Sequence, residues 1–173
     1  MLRTRCAALL CVAFLLACHE PAPAAPAAST ANTGEAIFLA IGGETFTLEL
    51  ALDPTTRQRG LGGRPSLPRN AGMLFAFPTP RPLAMVMRDC PAPIDVAFLD
   101  ALGRVVALHS MPPEPPRRPD ESPFDYERRL PAYPSRAPAQ FAIELAGGRL
   151  AQLGVGVGAQ LAFDTRALAA RAR

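Results

Sequence analysis

Apolar and polar residues alternate along much of the chain, with the two-residue period of half-buried β-strands. Phe46, Leu48 and Leu50 alternate with polar residues after a Gly42-Gly43 turn signal, which predicts a hairpin of two strands. Further strand-like runs, separated by Pro, Gly and Asp, cover residues 73–77, 83–87, 94–99, 104–109, 140–145 and 159–163. Many short strands at this spacing predict a mainly β domain, α+β by strict count, with a small antiparallel barrel-like or sandwich architecture.

Two segments depart from the alternating pattern and predict one or two short helices. Asp53 suits a helix N-cap and Pro54 suits the first helical position. The helix that they begin is expected to end at the glycines of residues 60–63. Residues 147–154 predict a helical turn that is closed by a glycine.

Proline and glycine mark the irregular segments. Nine prolines fall within residues 112–138. Because proline cannot donate to a sheet ladder, this segment is expected to be a long loop, of a length that is usually functional or disordered. Gly60 and Gly72 fit turn or capping positions. The Ala/Arg-rich tail at residues 165–173 is expected to be an exposed helix or a frayed end.

The N-terminal segment carries targeting features. Arg3 and Arg5 precede an uncharged apolar run, which is typical of a secretory signal peptide over residues 1–17. This run is too short to cross a hydrocarbon core, which needs about 20 residues. The run Leu15-Leu16-Ala17-Cys18 resembles the lipobox of bacterial lipoproteins, in which the signal is cut before the cysteine and the cysteine is lipidated. The alternatives are an ordinary cleaved signal peptide and an uncut signal anchor.

The remainder of the chain divides into a tether, a domain and a tail. Residues 18–35 are rich in Pro and Ala and contain no large apolar residue, so they predict a solvated tether that is anchored by lipid at Cys18. The β-rich domain is expected over residues 36–164. The tail follows at residues 165–173.

Removal of the signal changes the charge and the cysteine count. The full chain has a formal net charge of +3, and two of its arginines leave with the signal, so that 16 arginines face 15 acidic residues. No clustered basic face indicates a nucleic-acid partner. Two of the four cysteines also leave, and Cys18 is used for lipidation, so Cys90 has no disulfide partner. With two histidines and no metal-ligand spacing, neither a metal site nor a cofactor is expected.

Several short motifs follow one another in a defined order between residues 45 and 163. They are R-G-L-x-x-R, G-M-L-F, a methionine-basic pair before P-x-D-x-x-F, Y-P-S, an E-L pair and a late glycine, carried by Arg59, Gly60, Leu61, Arg64, Gly72, Met73, Leu74, Phe75, Met87, Arg88, Pro93, Ile94, Asp95, Phe98, Tyr133, Ser135, Glu144, Leu145 and Gly158. In this order and spacing the chain resembles the bacterial and archaeal family called domain of unknown function 192.

The resemblance implies a small, mostly β, barrel-like domain that is often exported and whose activity is not established. One departure from the family pattern concerns a ligand contact. Where the family usually has W-M-K-N-T, this chain has V-M-R-D-C at residues 86–90. An aromatic face is therefore missing, and any ligand contact that the family tryptophan makes is not expected here.

Asp95 is the first candidate site residue, and it has two interpretations. It lies between apolar residues of a strand-like run, so strand alternation turns it away from their face. As a structural carboxylate it would be exposed, or would accept hydrogen bonds from loop amides or from Arg59, Arg64 or Arg88. As a site residue it would form the polar floor of a cleft with Arg88, since arginine suits a carboxylate or phosphate. The candidate ligand-binding residues are Arg59, Arg64, Met87, Arg88, Asp95, Tyr133 and Ser135.

Cys90 and His109 suggest a nucleophile and its base, because an imidazole can activate a thiol. The sequence supplies neither an orienting third group nor an oxyanion hole, so we assign no catalytic residue. A hydrolase that uses Asp95 with Arg88 or His109 is the enzymatic alternative, and His109 is the candidate group that titrates near neutral pH.

The leading functional hypothesis is a non-catalytic envelope lipoprotein. It is expected to be anchored to the membrane through Cys18, to face the periplasm or the cell surface, and to bind a small molecule or an envelope protein in the mouth of the barrel. The alternatives are the hydrolase and a structural or assembly factor that acts through the proline-rich loop at residues 112–138.

Overall fold

The computed structural model describes residues 34–173. The expected signal peptide (1–17), Cys18 and almost all of the tether (18–35) lie outside these residues. The strands are β1 (Ala36–Ile41), β2 (Glu44–Ala51), β3 (Ala71–Arg81), β4 (Ala84–Met85), β5 (Ile94–Leu99), β6 (Val105–Met111), β7 (Tyr133–Pro134) and β8 (Ala139–Ala146). The helices are α1 (Pro54–Arg59), α2 (Pro123–Arg129), α3 (Arg149–Gln152) and α4 (Thr165–Arg171). Among the described residues, no helix has the length and apolar character needed to cross a membrane.

The larger of two sheets has six strands in the order β1-β2-β3-β8-β5-β6, and β4 pairs with β7 in a second, small sheet. Neighbouring strands are antiparallel except β2 and β3, which run parallel because the connection through α1 returns the chain to the same end. The predicted mainly β, α+β class is confirmed. The large sheet is not closed into a barrel, which is consistent with the predicted barrel-like or sandwich architecture, and the described residues form four short helices rather than one or two.

Local sequence signals explain the first hairpin and the first helix. Gly42 and Gly43 both have positive φ, 57° and 84°, as the tight turns between antiparallel strands require. Asp53 accepts a hydrogen bond from the Thr56 amide at 2.9 Å, and Pro54 occupies the first helical position. Both predicted elements are confirmed.

Both faces of the large sheet are covered. On one face, named the α3/α4 face, Phe141 of β8 packs with Leu150 of α3 and Leu168 of α4. Ala142, the next residue of β8, belongs to the opposite face, named the α1 face. That face is covered by side chains from the segments that follow α1 and β4, with Leu61, Met87 and Cys90 among them. The central strands therefore carry buried side chains on both sides, as in a layered domain.

The C-terminal region differs from the prediction in two respects. The expected closing strand at residues 159–163 is reduced to a single bridge at Gln160. The tail at residues 165–173 contains α4, which Asp164 caps, and Leu168 of this helix is buried. The predicted helix is confirmed, but it packs on the domain instead of being fully exposed, because Leu168 covers apolar side chains of the large sheet.

The proline-rich segment at residues 112–138 contains a helix and a short strand, whereas the sequence predicted a loop. Ser122 caps α2 by accepting a hydrogen bond from the Asp125 amide at 3.1 Å. The buried Glu121 accepts from Arg129 at 2.7 Å, and this ion pair holds the pKa of Glu121 at about 2. Arg129 also donates to two proline carbonyls. Because proline keeps its carbonyl acceptor, side-chain donors can hold the part of the segment that precedes β7.

Gly60 and Gly72 have different structural roles. Gly60 ends α1 with a φ of 51°, as predicted for a capping position. Gly72 lies inside β3, not at a turn. A Cβ atom at this position would lie 2.2 Å from the Glu144 carbonyl oxygen and 2.7 Å from a Leu145 methyl of the neighbouring β8. Glycine is required here because the strands and their side chains leave no space for a methyl group.

We predict that Gly72→Ala lowers the free energy of unfolding by about 1–3 kcal/mol, because β3 and β8 must shift to admit the methyl group. Gly156→Ala is the matched control, since a Cβ there would meet no atom within 4 Å. Its effect should stay within about 0.5 kcal/mol. Urea unfolding of the two variants measures the difference, and equal stabilities would refute this account of Gly72.

Candidate functional site

A cleft of about 500 Å³ opens on the α1 face of the large sheet. Helix α1, the end of β3 and residues 84–90 form its walls, and β8 contributes to its floor. Its apolar lining includes Leu61, Phe75, Phe77, Met85 and Val86. Apolar walls with a small number of polar groups are typical of sites that bind small molecules.

Glu144 lies on the floor of this cleft, in the middle of the large sheet. Its cross-strand neighbours are Met73 of β3 and Val96 of β5, and the residue is only 6% exposed. Among residues 34–173, its carboxylate has neither a hydrogen-bond partner nor an ion-pair partner. Burial raises the pKa of Glu144 to about 7, because the charged form loses its hydration without compensation.

The Glu144 carboxylate faces the cleft. Within the described part of the chain, every fully enclosed side-chain oxygen or nitrogen has a hydrogen-bond partner. The unpartnered oxygens of Glu144 must therefore keep contact with the open volume, and Glu144 is among the lining residues. Cys90 also lines the cleft. Burial and, second to it, the charge of Glu144 raise the pKa of the Cys90 thiol to about 11, so the thiol is uncharged at neutral pH.

Four arginines line the cleft, but they are not equally free to bind a ligand. Arg88 forms a two-point ion pair with Glu127 of α2. Arg57 donates to three backbone oxygens, those of Leu52, Ala76 and Arg173, at 2.8, 2.9 and 2.5 Å. Arg59 and Arg81 are exposed, and among the described residues neither has a carboxylate within the 4.0 Å of an ion pair. These two guanidinium groups are therefore available to an anion.

Two arginines of the cleft contact one aromatic ring. The guanidinium carbons of Arg57 and Arg81 lie 4.9 and 5.0 Å from the centroid of Phe77, within the range of cation–π contacts. Burial and, after it, the positive charge of Arg81 lower the pKa of Arg57. The wall thus combines positive charge with an apolar surface, which suits an organic anion.

Asp95 lies on the opposite side of the sheet from this cleft. It is 3% exposed and accepts hydrogen bonds from the Ser110 hydroxyl at 2.9 Å and the Leu150 amide at 3.0 Å. These donors replace the arginines that the sequence suggested. Arg88 lines the cleft on the α1 face, so the structure does not bring Asp95 and Arg88 together. Asp95 instead satisfies the amide of Leu150 at the start of α3.

Three other candidates have structural contacts. Arg64 forms a two-point ion pair with Glu49 of β2, at 2.6 and 2.7 Å. The buried Ser135 hydroxyl donates to the Ala137 carbonyl and accepts from the Leu83 amide. Met87 is buried in the core of the α1 face, beneath the cleft wall. None of these three lines the cleft.

Tyr133 and His109 contact each other outside the cleft. Their rings meet edge to face with centroids 5.7 Å apart, and Nε2 of His109 bonds to the Pro134 carbonyl at 2.7 Å. The Cys90 thiol donates to the Arg88 carbonyl, so the hydrogen bonds of Cys90 and His109 do not join them as a nucleophile and its base. Within residues 34–173, no group of three or more His, Cys, Asp or Glu side chains is placed to hold a metal ion.

The cleft contains three charged residues that sequence reasoning did not select as site residues. Glu144 had a visible signal, since it is the one charged residue in the apolar run F-A-I-E-L and forms part of the E-L pair in the ordered motifs. Arg57 and Arg81 had no such signal, because an isolated arginine in a helix or beside prolines is typical of a solvated surface. Of the selected residues, Arg59 and Arg88 line the cleft.

We predict that Glu144→Gln changes the pH dependence of stability. A carboxyl whose pKa rises from its usual 4.5 to about 7 on folding destabilises the fold progressively as the pH increases from 4.5 to 7. The glutamine variant should therefore gain about 3 kcal/mol relative to wild type between about pH 4 and pH 8. Asp120→Asn, at a side chain 86% exposed, is the control and should show no such gain. If the free energies of unfolding of Glu144→Gln and wild type changed equally with pH, burial would not raise the pKa of Glu144.

Comparison with known proteins identifies solved structures of similar fold and the family of the chain. No curated protein matches it. A crystal structure from Sinorhizobium meliloti 1021, of a protein provisionally designated a transcription regulator, is 30% identical with a TM-score of 0.57 and covers 72% of this chain and 88% of its own. A protein of unknown function from Novosphingobium aromaticivorans DSM 12444 is 23% identical with a TM-score of 0.61, covers 82% of this chain and 94% of its own, and is similar in fold. The model of the DUF192 family, described as an uncharacterized ACR, matches residues 37–163, and the chain therefore belongs to this family, the domain of unknown function 192.

Proposed function

We propose that this protein is an envelope lipoprotein whose domain binds a small organic anion in the cleft on the α1 face, without catalysing a reaction. The observation that carries the proposal is the pair of exposed arginines, Arg59 and Arg81, at an apolar cleft and without carboxylate partners among the described residues. A guanidinium group offers fixed N–H donors that match a carboxylate or a phosphate. The apolar walls hold the remainder of the ligand.

The charge balance of the cleft supports an anionic ligand. Arg88 is neutralised by Glu127, whereas Arg59 and Arg81 have no carboxylate within ion-pair distance in the described part of the chain. A ligand that excludes water from the apolar wall also strengthens its own charge interactions, because the local dielectric falls. An anion with an apolar body gains from both effects.

Binding is favoured over hydrolysis by the state of the candidate nucleophile and base. The pKa of the Cys90 thiol is raised to about 11, which leaves little thiolate at neutral pH. Asp95 lies on the α3/α4 face. Its carboxylate accepts hydrogen bonds from the Ser110 hydroxyl and the Leu150 amide, not from Arg88 or His109. Among the described residues no hydrogen bond joins Asp95 to Arg88 or to His109, which favours binding over the hydrolase alternative.

The proline-rich segment supports the cleft more directly than it supports an assembly role. Helix α2 contributes Glu127, which pairs with Arg88 at the edge of the cleft. Tyr126 of the same helix bonds to the amide of Asp89 at 3.0 Å. Since these contacts use the segment to hold the cleft wall, we assign it to the binding domain rather than to capture of another envelope protein.

The binding prediction uses hexanoate as the probe, because it joins one carboxylate to an apolar chain. Isothermal titration calorimetry on the full chain should detect its binding, and the double variant Arg59→Gln/Arg81→Gln should bind it at least tenfold more weakly, as expected for loss of charge-assisted hydrogen bonds. Arg128→Gln is the matched control, since Arg128 also stacks on a phenylalanine but lies outside the cleft.

Two results would refute the binding proposal. One is the absence of hexanoate binding to the wild-type chain at millimolar concentration. The other is equal affinity in the wild type, the double variant and the Arg128→Gln control, because an anion held by the cleft arginines must respond to their loss. Thermal unfolding of each variant checks that the fold is retained.

The localisation is a separate part of the proposal, and it rests on the sequence around Cys18. Lipid at this residue would hold the domain at a membrane, and more than one acyl chain is needed for stable anchoring. We predict that labelled palmitate is incorporated into the wild-type protein in a bacterial host and that Cys18→Ala abolishes the label and releases the protein from the membrane fraction. Cys90→Ala is the control, and it should keep both the palmitate label and the association with the membrane fraction. Label that persists in Cys18→Ala would contradict the assignment.

A further inference from the structure

We propose that the ligand of this cleft is bipolar, with an anionic group held by Arg59 and Arg81 and an ammonium group held by the Glu144 carboxylate on the floor. The inference rests on the proposed binding function and specifies the class of ligand. It is drawn from Glu144, a buried and unpartnered carboxylate that faces the open volume.

Glu144 lacks the donors that a second buried carboxylate has. Asp95 on the neighbouring β5 is also buried and accepts from both a hydroxyl and an amide. An ionised carboxylate only accepts hydrogen bonds, so it needs donors around it. Among the described residues Glu144 has none, so its carboxylate is free to accept hydrogen bonds from a molecule that enters the cleft.

The arginines of the cleft do not neutralise Glu144. Burial raises the pKa of Glu144, and among the described residues no arginine lies within ion-pair distance of its carboxylate. The carboxylate on the floor and the arginines of the wall are therefore separate binding points in one cleft with apolar walls. The charged or titratable groups that line the cleft with Glu144 are Arg57 and Arg59 of α1, Arg81 at the end of β3, and Arg88 and Cys90 of the segment after β4.

An ammonium group suits the Glu144 carboxylate better than other donors do. A metal ion needs several oxygen or nitrogen ligands, and no such group of side chains exists in residues 34–173. A neutral hydroxyl satisfies the acceptor but leaves the buried charge uncompensated. An ammonium group supplies donors and the opposite charge together, which offsets the desolvation of the carboxylate. The ligand class is therefore a small molecule with an apolar spacer between an amine and an acid.

The test compares ω-amino acids with carboxylates of the same chain length. The probes are 4-aminobutanoate, 6-aminohexanoate and 8-aminooctanoate, each beside butanoate, hexanoate or octanoate, in calorimetric titrations of the full chain. We expect one ω-amino acid to bind about tenfold or more tightly than its carboxylate analogue, the range of a charge-assisted bond. In Glu144→Gln the ratio should fall to about one, because the variant has no carboxylate to hold an ammonium group.

The pH dependence gives a second readout. The preference for the amine should increase as the pH rises from about 6 to about 8, because Glu144, whose pKa is about 7, must lose its proton to hold an ammonium group. The Glu144→Gln variant should show no such increase. Glu114→Gln, at a carboxylate outside the cleft, is the control and should behave as wild type.

The other outcomes separate the two proposals. Equal binding of amino acids and carboxylates overturns the bipolar ligand and leaves anion binding intact. Tighter binding of 6-hydroxyhexanoate than of 6-aminohexanoate also overturns it, since the donor would then be neutral. Absence of binding by every carboxylate and every amino acid overturns both the proposed function and this inference.

Discussion

The burial of the central strands on both faces is the constraint on which the rest of the structure depends. β3, β8 and β5 have strands on either side and covered faces above and below, so their side chains lose water on folding. A polar group on these strands lowers the stability of the fold unless it has a hydrogen-bond partner. Asp95 and Glu144 lie on neighbouring strands and differ in this respect. Asp95 is satisfied by Ser110 and Leu150, whereas Glu144 opens on the cleft.

Segments outside the large sheet complete the cleft, and they are fastened by polar contacts. Asp89 has a φ of 52°, in the left-handed region that Asp and Asn tolerate better than most residues. It stands where the related family usually has asparagine. Its amide donates to the Tyr126 hydroxyl, and its carboxylate accepts from that hydroxyl. Together with the Arg88–Glu127 pair, this contact holds α2 at the edge of the cleft, so the proline-rich segment contributes to the site through its helix.

The site was only partly predictable from the chain. Motif matching selected Arg59 and Arg88, which line the cleft, but also Arg64 and Ser135, whose contacts are structural. Arg64 pairs with Glu49, whereas Arg59 has no carboxylate partner among the described residues. The sequence shows the same side chain at both positions. The difference depends on whether a carboxylate lies within reach after folding, and residue type and spacing do not reveal that.

Signals that act over a few residues were sufficient for the local elements. The Gly42-Gly43 turn, the Asp53 cap and the alternation in the first hairpin correctly predicted β1, β2 and α1, because each operates through neighbours in the chain. The open sheet, the parallel β2–β3 pair and the packing of α4 required the assembled structure. The roles of Asp95 and Glu144 also required the assembled structure. Asp95 meets the Leu150 amide across 55 positions, and such distant contacts decide which buried carboxylate is satisfied and which faces the cleft.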